Sequence, residues 1–513
     1  MYALSWAIRS KSEWQRKISD PTILEKWRKE ALDQQNASRI EEKLTSNLIN
    51  YVLTELAGYA RLSDPTTGIE SGPFDAIWFS DCLISNELSD RLRGAVSQLE
   101  NIPDELKDWH PGSNGQVLDL VHPSLYCIVY NRTESSSGST SLKIDSPEYI
   151  SFVTSERFCW LPSDFSVDPM DGSVQLISPY INNLHPTRHK ALYPIVESVL
   201  GAFIPLFERV LSQVNGQDQD LYCDITPGSG RIMTKLSPGT DGKVEVPDNA
   251  TDEEYEQLEE AAPKVLPEAF EKYKGELEKT IVPYSLRGKT IQCIIKLANI
   301  HLTPENAEYK GGSWHVEGML NENIVASGIY YYEEENMSES RLAFRVTTGA
   351  PVYHEQWDFM CSKILYRMSK DSYCCQDLGS IATSANRALA WPNIYQHRVS
   401  PFRLVDPTKP GHRKILAVFL IDPSFERIPS ATDIPPQQAD WIFETLQELC
   451  TDPGSLFSRL PVELVDLIAE NMPETFMTRE EADEYRLELM KERTSFIPVW
   501  ERDSSFSFNM CEH

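Results

Sequence analysis

Three short stretches carry residue types that could do chemistry together. In GGSWHVEGML, residues 311–320, His315 and Glu317 stand two apart, and in a strand such residues point to the same face. A third candidate is His397 in YQHRVSPFRL, ahead of a turn-rich segment and a strong strand pattern. Two imidazoles and one carboxylate on one face can hold a divalent transition metal and leave coordination positions open. With 10 His and 77 Asp plus Glu in 513 residues, roughly one or two His-x-acid triplets arise by chance, so the weight falls on the surroundings. The strand after His397 opens with Gly411 and Arg413, and alternation puts Arg413, Ile415 and Ala417 on one face. A guanidinium there can clamp a carboxylate through two parallel hydrogen bonds. Lys296, in IIKLANI, is a candidate second anion contact. Tyr330 and Tyr332 share a face and are candidates to line a substrate cavity. His354 and His301 compete for the third ligand position, and His412 should face away from Arg413.

These residues need a scaffold, and the composition allows a large one. The chain is 41% hydrophobic and 10% aromatic, which suffices for sizeable buried cores and is too rich in large apolar groups for a disordered protein. Its formal net charge of −29 opposes binding to nucleic acid or to an anionic membrane. The 10 cysteines form no CxxC pair, so the expectation is reduced thiols in a cytoplasmic protein. The opening MYALSWAIRSKSEWQRK lacks a sustained apolar region of the signal-peptide kind. No uncharged apolar stretch reaches the roughly 18 residues needed to span a bilayer.

Along the chain the pattern changes character several times. Residues 1–180 read as helical, then mixed, with strand-like runs such as VLDLV, LYCIVY and SVQLI. Within residues 181–235, apolar positions recur at helical spacing from Leu192 to Val214, which predicts an amphipathic helix packed on a sheet. Pro205 is expected to kink or interrupt it. Residues 236–285 form an acidic, Pro- and Gly-rich insertion. Residues 286–423 carry the strongest strand signals: TIQCIIKLANIHL, IVASGIYYY, RLAFRVT and HRKILAVFLIDP. Their spacing lacks regular βαβ units and predicts an antiparallel sandwich or barrel. Residues 424–513 turn helical again. Asp433 and the following prolines mark a helix start, LPVELVDLIAENM reads as an amphipathic helix packing on the core, and Thr478 with Glu481 fits a capping box.

Taken in order, His-x-acid, a distal His and Gly-x-Arg on the following strand resemble the iron(II)/2-oxoglutarate oxygenases. More broadly, HPSLYCIVYNRT, YINNLHP, IIKLANIHLTPE and PGHRKILAVFLIDP are similar to a large fungal family of unknown function. The oxygenase resemblance implies an α+β protein with a double-stranded β-helix, or jelly-roll, core. It implies His315, Glu317 and His397 as ligands of Fe(II), and Arg413, with Lys296 in support, as the anchor of the 2-oxoglutarate cosubstrate. It further implies O2-dependent oxidation of a C–H bond in a small-molecule substrate, with release of succinate and CO2. The outcome could be hydroxylation, desaturation or cyclisation. Most members of that superfamily carry Asp where this chain has Glu317. Two other readings stand beside it: a non-catalytic jelly-roll interaction protein, and a cupin-like metalloenzyme that uses no 2-oxoglutarate.

Overall fold

The β-branched and aromatic runs become the strands that frame the site. TIQCIIKLANIHL forms β1 (Thr290–Leu302), and the tyrosine-rich run forms β2 (Ile324–Glu335). β3 (Arg341–Thr347), β4 (Cys375–Ala382), β5 (Ala388–Pro392), β6 (Gln396–Val399) and β7 (Gly411–Ile421) come next along the chain. The computed structural model describes residues 1–37, 43–135, 138–139, 154–215, 247, 249–251, 253–254, 257–258, 273–348, 368–369 and 371–502. Most of the acidic insertion, and the competing ligand candidate His354, lie outside the described residues.

The strands make two antiparallel sheets. In the larger, the order is β5-β2-β7-β1, so the last strand inserts between the first two. Residues from the first third of the chain extend this sheet. Trp78–Ser80 adds to β5, while Ser163–Val167 and Val117–Val121 both pair with β1. The smaller sheet runs β4-β3-β6. The two sheets share a core in which Leu342, Phe344, Leu378 and Ile381 of the smaller one meet Leu389, Trp391 and Ile329 of the larger one.

Strand alternation decides which face each side chain serves. Leu416, Val418 and Leu420 of β7 join Ala326, Tyr330 and Tyr332 of β2 on the outer face. There they bury against helix α1 (Tyr193–Asn215) through Val199, Phe203 and Phe207. Ala417, Phe419 and Ile421 point the other way. Gly328 lets the helix come close: a Cβ there would lie 2.8 Å from the Phe203 ring. α1 is long and apolar enough to cross a membrane by length and composition, but its apolar face is spent on this sheet.

Three expectations need correction. Pro205 does not interrupt α1, which runs unbroken from Tyr193 to Asn215; burial of both flanking turns in the core outweighs one lost backbone hydrogen bond. The helix expected to start near Asp433 starts at Ala439, while the Asp433 carboxylate accepts from the Ser430 amide. The helix Val462–Thr475 does not lay its leucines on the core, since Val462, Leu464 and Leu467 are exposed. The capping position at Thr478 does form, with its hydroxyl accepting from the Glu481 amide at 3.2 Å.

Candidate metal centre

His315 and Glu317 do not lie in a strand. They sit in a loop that touches the edge of the smaller sheet through a bridge from His315 to His397 and a hydrogen bond of 3.0 Å from the Gly312 amide to the Val399 carbonyl. The two backbones exchange hydrogen bonds of 3.2 and 2.9 Å. Gly311 makes the approach possible. Its φ is +89°, and a Cβ there would lie 2.8 Å from the Val399 carbonyl oxygen. On the far side of β6, Phe344 of β3 is the cross-strand partner of His397. The Trp391 ring packs on the imidazole with centroids 4.8 Å apart.

The side chains of His315, Glu317 and His397 converge, each offering a ligand atom within 4.8 Å of the other two. Glu317 Oε1 stands 3.7 Å from His315 Nε2 and 3.3 Å from His397 Nε2. Adjacent ligand atoms on an octahedral ion with bonds of about 2.1 Å lie about 3 Å apart, so this set is close to one face of such an ion. His315 Nδ1 lies 2.8 Å from the Ser313 carbonyl oxygen, to which only a protonated Nδ1 can donate. In the neutral ring Nε2 is then free to ligate, and the ring's orientation is fixed from outside the ligand set. Asn393 holds the carboxylate's backbone. Its Oδ1 accepts from the Glu317 amide at 2.9 Å, and its Nδ2 donates to the Glu317 carbonyl at 2.8 Å.

Protonation is set by this packing. Burial alone would keep both imidazoles neutral, but the Glu317 carboxylate overrides it at His315, whose pKa is raised. At His397 burial wins, with the neighbouring His315 adding to it, and the pKa is lowered. Burial pushes Glu317 up, yet hydrogen bonds from both imidazoles hold it well below the usual carboxylate range. Glu317 is thus held ionised, and of the two imidazoles His315 keeps a proton more readily than His397. A divalent cation would displace the proton on His315.

The other expected site residues separate. Arg413 is 1% exposed and already paired: Nε donates to Glu334 Oε2 at 2.8 Å, Nη1 donates to Ser340 Oγ, and the guanidinium stacks 4.6 Å over the Phe402 ring. It is not an open clamp. A β-bulge between Tyr331 and Glu333 turns Glu334 to face it. Tyr330 and Tyr332 are buried on the helix side of the larger sheet, and Tyr331 is the tyrosine of opposite parity. Lys296 lies on the inner face of β1, opposite Ala417, and its charge reaches His315.

A second cluster has no counterpart in the sequence pattern. His110, Asp119 and His122 also bring ligand-type atoms within 4.8 Å of one another. His110 Nδ1 is 2.7 Å from Asp119 Oδ2, and the Arg486 guanidinium donates to that same oxygen. His122 Nδ1 accepts from the Ser124 amide at 3.2 Å, which places the proton of the neutral ring on Nε2. With Arg486 already neutralising Asp119, this arrangement ties the strand Val117–Val121 to the C-terminal helix Arg479–Arg502. It suits a metal less well than the first cluster. The spacing of its residues resembles no pattern that would reveal it. Asn393, four residues before His397 in WPNIYQH, gives no signal either, since an asparagine after a proline reads as an ordinary turn.

Fold and site together define a mixed helix-and-sheet protein with antiparallel sheets and a half-buried His-Glu-His cluster at the edge of the smaller one. The chain belongs to the family described as "Protein of unknown function (DUF4246)", which matches residues 46–445. No curated protein matches it. Among solved structures it is similar to the Fe(II)/α-ketoglutarate-dependent dioxygenase TqaL, at 9% identity over 68% of this chain and 80% of that one, with a TM-score of 0.27. AviO1 from Streptomyces viridochromogenes Tue57 matches at 9% identity over 69% and 94%, with a TM-score of 0.22. IDO from Bacillus thuringiensis matches at 10% identity over 27% and 48%, with a TM-score of 0.18. Likenesses this distant carry no functional argument.

Proposed function

We propose that this protein is an iron(II)- and 2-oxoglutarate-dependent oxygenase acting on a C–H bond of a small molecule. The observation that carries the reading is the convergence of His315, Glu317 and His397, with Glu317 Oε1 at 3.7 and 3.3 Å from the two Nε2 atoms. Three donors on one face leave the opposite positions open for a chelating cosubstrate and for O2, the arrangement such chemistry requires. The strand order supports it. β5-β2-β7-β1 facing β4-β3-β6, with the His315 loop bridged to β6, is compatible with the winding of a double-stranded β-helix, in which the ligands would come from one end.

When bound, iron with 2-oxoglutarate supplies oxidising power, the cosubstrate ending as succinate and CO2. The chain's own contribution is positional. Ser313 fixes the His315 tautomer, and Asn393 fixes the Glu317 backbone. Trp391 and Phe344 wall His397 from water, leaving its side chain 6% exposed. His315 must lose its proton for its Nε2 to ligate, and Glu317, held ionised, supplies the negative charge.

The test is anaerobic titration of the protein with Fe(II) and then 2-oxoglutarate, and finally admission of O2. The expected results are a visible charge-transfer band on adding 2-oxoglutarate and succinate formation under O2. If neither band nor succinate appears with folded protein, the oxygenase reading is wrong.

A further inference from the structure

The C-terminal helix Arg479–Arg502 reaches the ligand loop through one carboxylate. Glu322 ends the short turn Leu320–Glu322 that follows Glu317, and it is fully buried. Its Oε2 accepts from the amide of Met319, two positions beyond Glu317. Its Oε1 accepts from the Trp160 amide at 2.9 Å and from Arg493 Nη2 of the helix. Asn321 fastens the same turn to the neighbouring segment. Its Nδ2 donates to the Phe158 carbonyl at 2.8 Å, and its Oδ1 accepts from the Ser155 amide at 3.1 Å. The Ser155 hydroxyl in turn donates to Glu492 of the helix at 2.8 Å. Trp160 also stacks on Phe419 of β7, with centroids 5.6 Å apart. Turn, helix and larger sheet therefore meet at one point.

Holding the helix in place does not explain why an arginine stands there. The Arg493 guanidinium lies 4.0 Å over the Trp160 ring, and its Nε and Nη1 are buried without hydrogen-bond partners. An apolar side chain on that ring would dock the helix about as well, since a buried ion pair commonly adds little net stability. The helix also has other anchors: Ala482 and Leu489 in the core with Phe158 and Phe419, Arg132 on Glu481, and Arg486 on Asp108. What an apolar side chain cannot do is neutralise Glu322. A fully buried carboxylate without a counter-ion draws a proton or turns toward water, and its grip on the Met319 amide weakens, because an ionised acceptor binds an amide about twice as strongly as a neutral one.

We propose that Glu322 and Arg493 are positioning residues of the metal centre: through this ion pair the C-terminal helix sets the turn that delivers Glu317 to the two imidazoles. This rests on the metal-binding part of the reading above and not on what is oxidised there. The test is titration of the full chain with Mn(II), together with hydrogen exchange of peptides covering residues 311–323 in the metal-free protein. In Arg493→Met the Kd for Mn(II) should rise about 10-fold or more, and those peptides should exchange faster before any metal is added. Arg493→Lys, which keeps the charge, should recover part of both losses. Glu322→Gln, of nearly the same size, should reproduce both effects, and adding Arg493→Met to it should raise the Kd by less than about twofold more, because the two residues act through one contact. Arg132→Met loosens the start of the same helix and should leave the Kd within about twofold and the peptides unchanged. Unchanged Kd and exchange in folded Arg493→Met and Glu322→Gln overturn the proposal. Equal effects in Arg132→Met overturn it too, since helix docking rather than the ion pair would then be the cause. A wild-type protein that binds no Mn(II) overturns the metal centre and the proposal with it. One that binds Mn(II) but forms no succinate from 2-oxoglutarate with Fe(II) and O2 overturns the oxygenase reading alone, and the variants still decide the proposal.

Discussion

Replacing Asn393 by alanine removes two hydrogen bonds, of 2.9 and 2.8 Å, that hold the backbone on both sides of the Glu317 side chain. Each is worth about 0.5–1.5 kcal/mol net, so the loop loses about 1–3 kcal/mol of positioning. If that restraint is what keeps Glu317 Oε1 near both imidazoles, the loss appears in metal affinity as about a 10- to 100-fold rise in Kd. The assay is calorimetric titration with Fe(II), or with Mn(II) as an air-stable probe, at one fixed pH, with a circular dichroism melt to confirm the fold. Asn393→Asp retains the acceptor for the Glu317 amide and loses the donor to its carbonyl, so its Kd should fall between wild type and Asn393→Ala. A fully retained affinity in a folded Asn393→Ala would refute the reasoning, because the carboxylate would then reach the metal without the restraint. Glu317→Asp extends the argument. With the backbone pinned, a shorter arm cannot advance toward the imidazoles, so Asp here weakens binding although it is the usual acid of the pattern.

Other perturbations test the surrounding framework. Arg413→Met leaves Glu334 half-buried without its partner, and urea denaturation should show a loss of about 3 kcal/mol; a loss under about 1 kcal/mol would contradict a structural role. Gly328→Ala sets a Cβ 2.8 Å from the Phe203 ring and should cost about 1–3 kcal/mol by overpacking, with no cost if the helix can shift away freely. His122 has its pKa lowered well below 6.5 by burial first and by Lys296 second, and His301 is lowered to about 4, again chiefly by burial. Below pH 6.5 the unfolded chain takes up protons that these folded imidazoles refuse, so stability falls on acidification, by up to about 1.4 kcal/mol per pH unit for each group. Urea midpoints compared at pH 7.5 and 5 should therefore differ less in His122→Gln than in wild type, and an identical pH dependence would exclude His122 as a source.

The long strands are legible because their patterns are strong. TIQCIIKLANIHL coincides with Thr290–Leu302, and RLAFRVT with Arg341–Thr347. β4, CQDLGSIA, escapes such a reading because only two of its eight residues are buried and a glycine interrupts the alternation. Val117–Val121 is legible as the strand-like run VLDLV, but its pairing with β1 is not. Trp78–Ser80, only three residues long, owes its place beside β5 to tertiary pairing rather than to propensity. At the site, residue types and order lead to His315, Glu317 and His397, which the structure brings together. Alternation misleads at β2, where Tyr330 and Tyr332 do share a face, but the helix-facing one. It fails again past the bulge at Tyr331/Glu333, which turns Glu334 toward Arg413.

That bulge bears on how the two sheets divide their labour. Inward of it, at the level of Ala417 and Ile329, Lys296 has no hydrogen bond or ion pair among the described residues and stands opposite the small Ala417. Beyond it, Glu334, Ser340 and Phe402 hold the Arg413 guanidinium between them. At the opposite end the ligand-bearing loop is held to β6 by little more than the Gly312–Val399 and His315–His397 backbone bonds. A ligand set spread over that loop and β6 needs this asymmetry. The Arg413 end fixes the strands, while the bridged loop can adjust His315 and Glu317 by the roughly 0.7 and 0.3 Å that separate 3.7 and 3.3 Å from the spacing of about 3 Å on an octahedral face. Metal binding would then add the cross-link between loop and sheet that the backbone alone supplies only weakly.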